Sequence, residues 1–136
     1  MNRRMFLASV GAGALVAISG CKPKAPYALV PISGTVTYQG KPLDERFHIQ
    51  FEPDDGSRPS MGKIGSDGSF EAVHTASQKG VKQGPCAVVV YWNGDPAVDP
   101  VPEEFADMVA KYGFTGSDKL KVEISKKDTK FEVKYE

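Results

Sequence analysis

Ile32-Ser33-Gly34-Thr35-Val36-Thr37-Tyr38-Gln39-Gly40-Lys41-Pro42-Leu43 is the stretch from which the rest of the chain is read. Ile32, Val36 and Tyr38 fall on one side of an extended backbone, and Ser33, Thr35 and Thr37 on the other. That two-residue period belongs to a strand with one buried face. Gln39-Gly40-Lys41-Pro42 then breaks it, because glycine and proline supply the backbone angles of a turn rather than of a ladder.

Working outward, the same pattern returns in Arg46–Glu52, where Phe47, Ile49 and Phe51 point in and His48 and Gln50 point out. Pro53–Pro59 reads as a polar loop and Met61–Gly65 as a short third strand. Ser66-Asp67-Gly68-Ser69 is a hairpin signal, since Asp-Gly readily takes up positive φ. A fourth strand follows over Phe70–His74, with Phe70 and Ala72 inward. Gly80–Pro85 reads as a loop. Cys86-Ala87-Val88-Val89-Val90-Tyr91-Trp92 is the most apolar segment after residue 20. Its β-branched and aromatic run marks a central strand with both faces at least partly covered, Cys86, Val88, Val90 and Trp92 facing the main core.

Asp99–Gly116 departs from the β pattern. Phe105, Met108, Val109 and Tyr112 stand at i, i+3, i+4 and i+7, which is one face of a helix. Pro102 suits its start, Glu103 and Glu104 complement the positive end of its dipole, and Gly113 suits its stop. Leu120, Val122 and Ile124, then Phe131, Val133 and Tyr135, give two last alternating strands, joined by Ser125-Lys126-Lys127-Asp128 as a hairpin. Seven short strands with turn signals between them and one helix before the last two predict an all-β, antiparallel β-sandwich.

Toward the N-terminus the character changes. Arg3 and Arg4 precede an apolar run from Met5 to Ile18, closed by the small residues Ser19 and Gly20, the layout of a secretory signal peptide over residues 1–20. The run is shorter than the ~20 residues that span a hydrocarbon core as a helix. Ile18-Ser19-Gly20-Cys21 resembles the lipobox of bacterial lipoproteins at all four positions. The resemblance implies cleavage before Cys21, diacylglycerol on its thiol and a membrane anchor. Stable anchoring by two or more acyl chains agrees with the energetics of burying hydrocarbon. Asn2-Arg3-Arg4-Met5-Phe6-Leu7 also resembles a twin-arginine export signal, with Asn2 and Ala8 departing from it. General secretory export stays equally open. Lys22 in place of the aspartate that retains lipoproteins in the inner membrane favours the outer membrane of the cell envelope. Pro23, Pro26 and Pro31 make residues 21–31 read as a lipidated cysteine and extended tether outside the core, with the folded domain over residues 32–136.

Removal of residues 1–20 leaves one domain's worth of chain, at a net charge of −2, because Arg3 and Arg4 are lost from seventeen basic residues set against seventeen acidic ones. No basic patch points to nucleic acid. Cys86 alone accompanies Cys21, so no intramolecular disulfide is expected.

Ser33–Leu43, followed by Ile49-Gln50-Phe51, Ser66-Asp67-Gly68-Ser69-Phe70 and Gly84–Val90, resembles the carboxypeptidase regulatory-like domains of small bacterial lipoproteins. These share a Gly-x-Val strand, a Gly-Lys-Pro-Leu turn and an Ile-x-Phe strand. Val101-Pro102 matches a further family word, and the likeness covers most of residues 32–135. It implies a transthyretin-like, seven-stranded sandwich. Cys86 stands where that family commonly has an aromatic residue, and the helix is longer than the usual connection. Architecture rather than activity is what such a resemblance implies.

Candidate chemistry is sparse. His48 and His74 lie on different strands with no third metal ligand in sequence, so both read as exposed strand residues and no metal site is expected. Asp54, Asp55, Asp67, Asp95 and Asp99 are spread too widely for a calcium loop and read as turn formers. Cys86 sits in an apolar strand, where a thiol stays inert. No Gly-x-Ser-x-Gly word occurs, and Glu132-Val133-Lys134-Tyr135-Glu136 lacks the C-terminal signature of transthyretin-like hydrolases. The expectation is therefore a lipid-anchored, non-catalytic binding or structural module without a cofactor, facing an envelope protein or glycan, with Tyr91 and Tyr112 as candidate contacts and helix packing as the stronger reading of Tyr112. An envelope hydrolase of transthyretin-like type is the alternative.

Overall fold

The computed structural model describes residues 25–136. Arg3, Arg4, the lipobox Ile18-Ser19-Gly20 and the lipidation site Cys21 all lie outside the described residues. In chain order the elements are β1 (Leu29–Val30), β2 (Ser33–Tyr38), β3 (Lys41–Pro42), β4 (Phe47–Pro53), β5 (Ser60–Ile64), β6 (Ser69–Thr75), β7 (Gln78–Lys79), β8 (Val81–Lys82), β9 (Gly84–Trp92), α1 (Glu103–Tyr112), β10 (Leu120–Ile124) and β11 (Lys130–Tyr135). The fold is all-β with this one short helix.

Seven strands form a continuous path in the order β10-β9-β4-β5-β6-β2-β11, with β3 added to β2 and β7 to β6. Every pairing is antiparallel except β2 with β11, which run parallel from Ser33 beside Lys130 to Tyr38 beside Tyr135. The sheet curls so that its two ends face each other across the core: the Tyr135 hydroxyl donates to the Val88 carbonyl at 3.0 Å in a buried contact. Inward residues alternate as the period of two requires. Phe47, Ile49 and Phe51 on β4, Val88 and Val90 on β9, and Val36, Val133 and Tyr135 on the closing strands are all buried in one cluster. Val122 and Phe131, also expected inside, are only partly buried at its margin.

Gly34 shows why the Gly-x-Val word matters. A Cβ there would sit 1.8 Å from the carbonyl oxygen of Phe131, so only glycine lets β11 approach β2.

The helix forms as its spacing requires. Pro102 stands at its N-cap position, Glu103 and Glu104 occupy its first turn, and the Gly113 amide bonds back to Val109. Met108 and Tyr112 are buried, while Phe105 and Val109 pack on the cluster. Phe105 lies edge-on to Phe47 at 5.0 Å, and Tyr112 lies 4.7 Å from Tyr135. α1 therefore covers the rim of the curl.

Three expectations need correction. Ser125-Lys126-Lys127-Asp128 does not close a hairpin: β10 pairs only with β9 and β11 only with β2, so the link carries the chain from one end of the sheet path to the other. A polar link of four or five residues looks the same in sequence whether it reverses a strand or crosses between facing layers. Gly80–Pro85 is not all loop, because Val81 is fully buried and β8 pairs with β1. The expected tether of residues 21–31 is likewise not wholly outside the domain. Leu29-Val30 forms β1, and Val30 is as buried as the sandwiched valines of β9. A two-residue strand carries no periodicity by which sequence could announce it.

Candidate functional site

The strand registers build two regions of chemical interest, one on the outer face of the sheet and one at the end of its strands. On the outer face, Val73, Met61, Gln50 and Val89 are directly opposite one another across β6, β5, β4 and β9. The adjacent outward row is Glu71, Lys63, His48 and Tyr91. Met61 and Val73 are among the exposed large apolar side chains, and they floor an open groove of about 600 Å³ flanked by Arg58, Lys63 and Glu71.

The second row leads into an aromatic shelf. The His48 ring stacks on Tyr91 with centroids 5.0 Å apart and planes within 5° of parallel, and its Nδ1 contacts the Asn93 side-chain oxygen. Exposed Phe114 leans toward Tyr91 at 6.3 Å. The Tyr91 hydroxyl donates to Glu52 at 3.1 Å. Burial, with that carboxylate beside it, pushes the phenol up to about 12. Of the two aromatics expected as contacts, Tyr91 is thus partly exposed on this face. Tyr112, the last residue of α1, is buried against Tyr135 in the role of helix packing, with its hydroxyl donating to the Glu136 carbonyl.

At the end of the strands lies a chain of three side chains that the sequence reading did not assemble. Ser60 Oγ and His74 Nδ1 are 2.9 Å apart, and His74 Nε2 lies 3.2 Å from the Tyr27 hydroxyl. Ser60 and His74 are the buried polar residues among those described, at 1% and 5% exposure. His74 was expected to be exposed. It is buried because its parity on β6 is that of Phe70 and Ala72, both inward, and the same alternation carried two residues further would have found it. Burial pushes the imidazole below its ordinary 6.5, and the Arg58 charge adds to this. The neutral ring is then the form at neutral pH, donating through one nitrogen and accepting through the other.

This Ser-His contact has the spacing of a nucleophile and its base. Two features set it apart from a working pair. The group on the far ring nitrogen is the Tyr27 phenol, where a carboxylate would stabilise a developing imidazolium, and Ser60 is closed from solvent. Tyr27 is itself held on two sides, edge-on to His74 at 5.6 Å and beneath Lys82 Nζ at 4.8 Å. Lys82 in turn pairs with Asp55 and bonds Ser57 Oγ at 2.9 Å.

The remaining sequence candidates take structural positions. Cys86 is free and buried, and burial, with the Asp54 charge behind it, pushes its thiol up to about 12, so it stays protonated. Asp54 pairs with Lys121 at 2.9 Å, Asp67 accepts the Ser69 amide, Asp95 accepts the Ala97 amide, and the Asp99 carbonyl takes the Trp92 indole N–H. Among the described residues no three His, Cys, Asp or Glu side chains converge as metal ligands, and no helix is long and apolar enough to cross a membrane.

No family model and no curated protein matches this chain. Among solved structures it is similar to the crystal structure of a DUF3823 family protein from Parabacteroides merdae, at 18% identity and a TM-score of 0.45. The alignment covers 79% of this chain and 45% of that one, so the chain spans less than half the length of that protein.

Proposed function

We propose that this chain is a lipid-anchored lipoprotein of the cell envelope, held on Cys21, whose folded part is a non-catalytic module that binds an envelope protein or glycan. The fold is read as the seven-stranded, transthyretin-like sandwich of carboxypeptidase regulatory-like domains. The seven strands of the continuous path support that reading, as does the facing of Tyr135 and Val88 across the core. Placement in the outer membrane follows from Lys22 after the lipidated cysteine.

The outer face carries the binding reading. Its floor is apolar at Met61 and Val73, its flanks are charged at Arg58, Lys63 and Glu71, and one end bears the His48-Tyr91-Phe114 shelf. A flat aromatic face beside hydrogen-bonding groups suits a sugar ring or an extended peptide, and a groove with few polar groups at fixed places is the usual form of a binding site. The test is crosslinking and pull-down from native envelopes with wild type beside Met61→Glu and Tyr91→Ala. A partner captured by wild type and lost from both variants supports the reading; equal capture by all three overturns it.

The alternative, an envelope hydrolase, has one observation in its favour, the 2.9 Å contact between Ser60 and His74. Turnover of a panel of ureides and esters, abolished by Ser60→Ala, would replace the binding reading with it.

A further inference from the structure

The segment read in sequence as a loose leash is clamped to the domain well before the fold begins. The Ala25 amide donates to the Gln78 side chain at 3.2 Å, Tyr27 lies between His74 and Lys82, and β1 pairs with β8. Gly80 is part of the clamp. Its φ of +110° is a glycine conformation, and a Cβ there would stand 2.7 Å from the Val30 carbonyl oxygen.

This fixes how far the domain can stand from its anchor. An extended chain covers at most ~3.6 Å per residue, so the four residues from Cys21 to Ala25 reach about 14 Å. Were the chain free up to Ile32, the reach would be about 40 Å on the same scale. A domain of this size has a radius of gyration of ~13 Å, corresponding to a compact body about 34 Å across. The longer leash would let either pole touch the bilayer; the shorter one is less than the domain's radius and does not.

The pole beside the clamp is defined by register. β4 runs from Phe47, beside Trp92, to Pro53, beside Cys86. Seven residues at ~3.3 Å separate the two ends by about 20 Å. Residues 54–59 and the turn at Ala76-Ser77 lie at the Pro53 end with Ala25 and Tyr27, while Arg46, Asn93 and the Asp67-Gly68 turn lie at the other. Among the described residues, Arg58, Lys126, Lys127 and Lys130 at the clamped end have no carboxylate within ion-pair distance, against Lys41 and Lys63 toward the other end. Uncompensated cations there suit a headgroup layer.

We infer that the end of the domain carrying Arg58, Ala76 and Gln78 is the surface that lies against the bilayer headgroups, oriented by the docked residues 25–30. The inference rests on Cys21 being the anchor. The outward groove over Met61 and Val73 then faces sideways, along the membrane, and the Asn93 end faces away from it.

The experiment attaches the chain beginning at Cys21 to maleimide-bearing lipids in phospholipid nanodiscs. Buried Cys86 does not compete for the reagent. A gadolinium-chelating lipid in the same discs bleaches amide NMR signals close to the headgroups. Signals of Gly56–Arg58 and Ala76–Lys79 are expected to lose most of their intensity, while those of Gly40, Gly68 and Asn93 keep theirs. Tyr27→Ala, which lengthens the leash to the eight residues before Leu29, is expected to even out the loss between the two ends. Equal bleaching of both ends in wild type, stronger bleaching at the Asn93 end, or a pattern that Tyr27→Ala leaves unchanged would each overturn the inference. Because the thiol is coupled chemically, the result does not depend on lipidation in the cell. The mass of the N-terminal peptide recovered from native membranes tests that premise separately: an unmodified Cys21 in the mature protein would remove it.

Discussion

The two histidines of this chain sit on strands separated only by β5, and they have opposite surroundings. His48 lies on the outward parity of β4, stacked on Tyr91 where solvent reaches it. His74 lies on the inward parity of β6, with both ring nitrogens held by hydroxyls from elements far apart in sequence. What separates them is one residue of register. On a strand with one face buried, that is the difference between a side chain that can meet a partner and one that must be satisfied from within.

Five measurements would sharpen or break this contrast. The largest effect belongs to the inward face in its purest form. Val88 is fully buried in the apolar cluster, and the one hydroxyl beside it, that of Tyr135, is already committed to the Val88 carbonyl, so Val88→Asp is expected to cost several kcal/mol, on the order of the ~5–15 kcal/mol that holds a domain together. Urea melts should show it unfolded or nearly so. A midpoint near wild type would mean that β9 has been assigned the wrong face.

His74→Ala comes next. It leaves the Ser60 and Tyr27 hydroxyls without their partner and opens space beneath the clamp, at a cost of about 1–3 kcal/mol in the same melts. A change of a few tenths would remove the distinction between the two histidines.

Acidification gives a third comparison. Burial, with Arg58 nearby, lowers the folded-state pKa of His74 below 6.5, so the unfolded chain binds the proton more readily. Stability is then fully present above 6.5 and falls as pH drops through that value toward the folded pKa. Wild type is expected to lose more stability than His74→Gln between about pH 7 and pH 5, measured as thermal midpoints across the range. Parallel curves for the two proteins would show that His74 carries no such linkage.

The smallest effects are expected outside. His48→Ala removes an exposed ring stack and should cost about 0.5–1 kcal/mol. Lys121→Asp, which breaks the half-exposed pair with Asp54, should stay within about 1 kcal/mol. If either matched the loss at His74, the outer face would be more than a solvated surface.

Most of the scaffold could be read from the chain because it is repetitive in the right way. Phe47-x-Ile49-x-Phe51 announces its face by alternation, the unbroken valine run of β9 announces a strand covered on both faces, the Phe105–Tyr112 spacing announces a helix, and Asp67-Gly68 announces the hairpin that joins β5 to β6. Alternation carried on from Phe70 and Ala72 also pointed His74 inward. What sequence could not supply was the company His74 keeps. Ser60 is 14 residues away and Tyr27 is 47, and neither distance has a local signature. The prolines at 26 and 31 mark backbone outside any helix, but such a segment docks as readily as it dangles. Val30 and Val81 found each other through a pairing too short to show a period. The outer groove was hidden for the converse reason: Met61 and Val73 are ordinary outward residues until register puts them side by side.

The parallel ladder between β2 and β11 has a consequence for the time course of folding. Ser33 and Lys130 are partners 97 positions apart, and the six-residue ladder they begin is what seals the curl. Loop closure over that span must be met before the contacts form, which places this topology among the slower folders. In chain order β11 follows the ten other described strands, so a chain emerging from the ribosome has those ten in hand before it. Until Tyr135 is released, β2 keeps one edge open and Gly34 faces an empty groove. Closure of the curl therefore waits on β11, and anything that engages the nascent chain before β11 appears meets β2 with that edge unpaired.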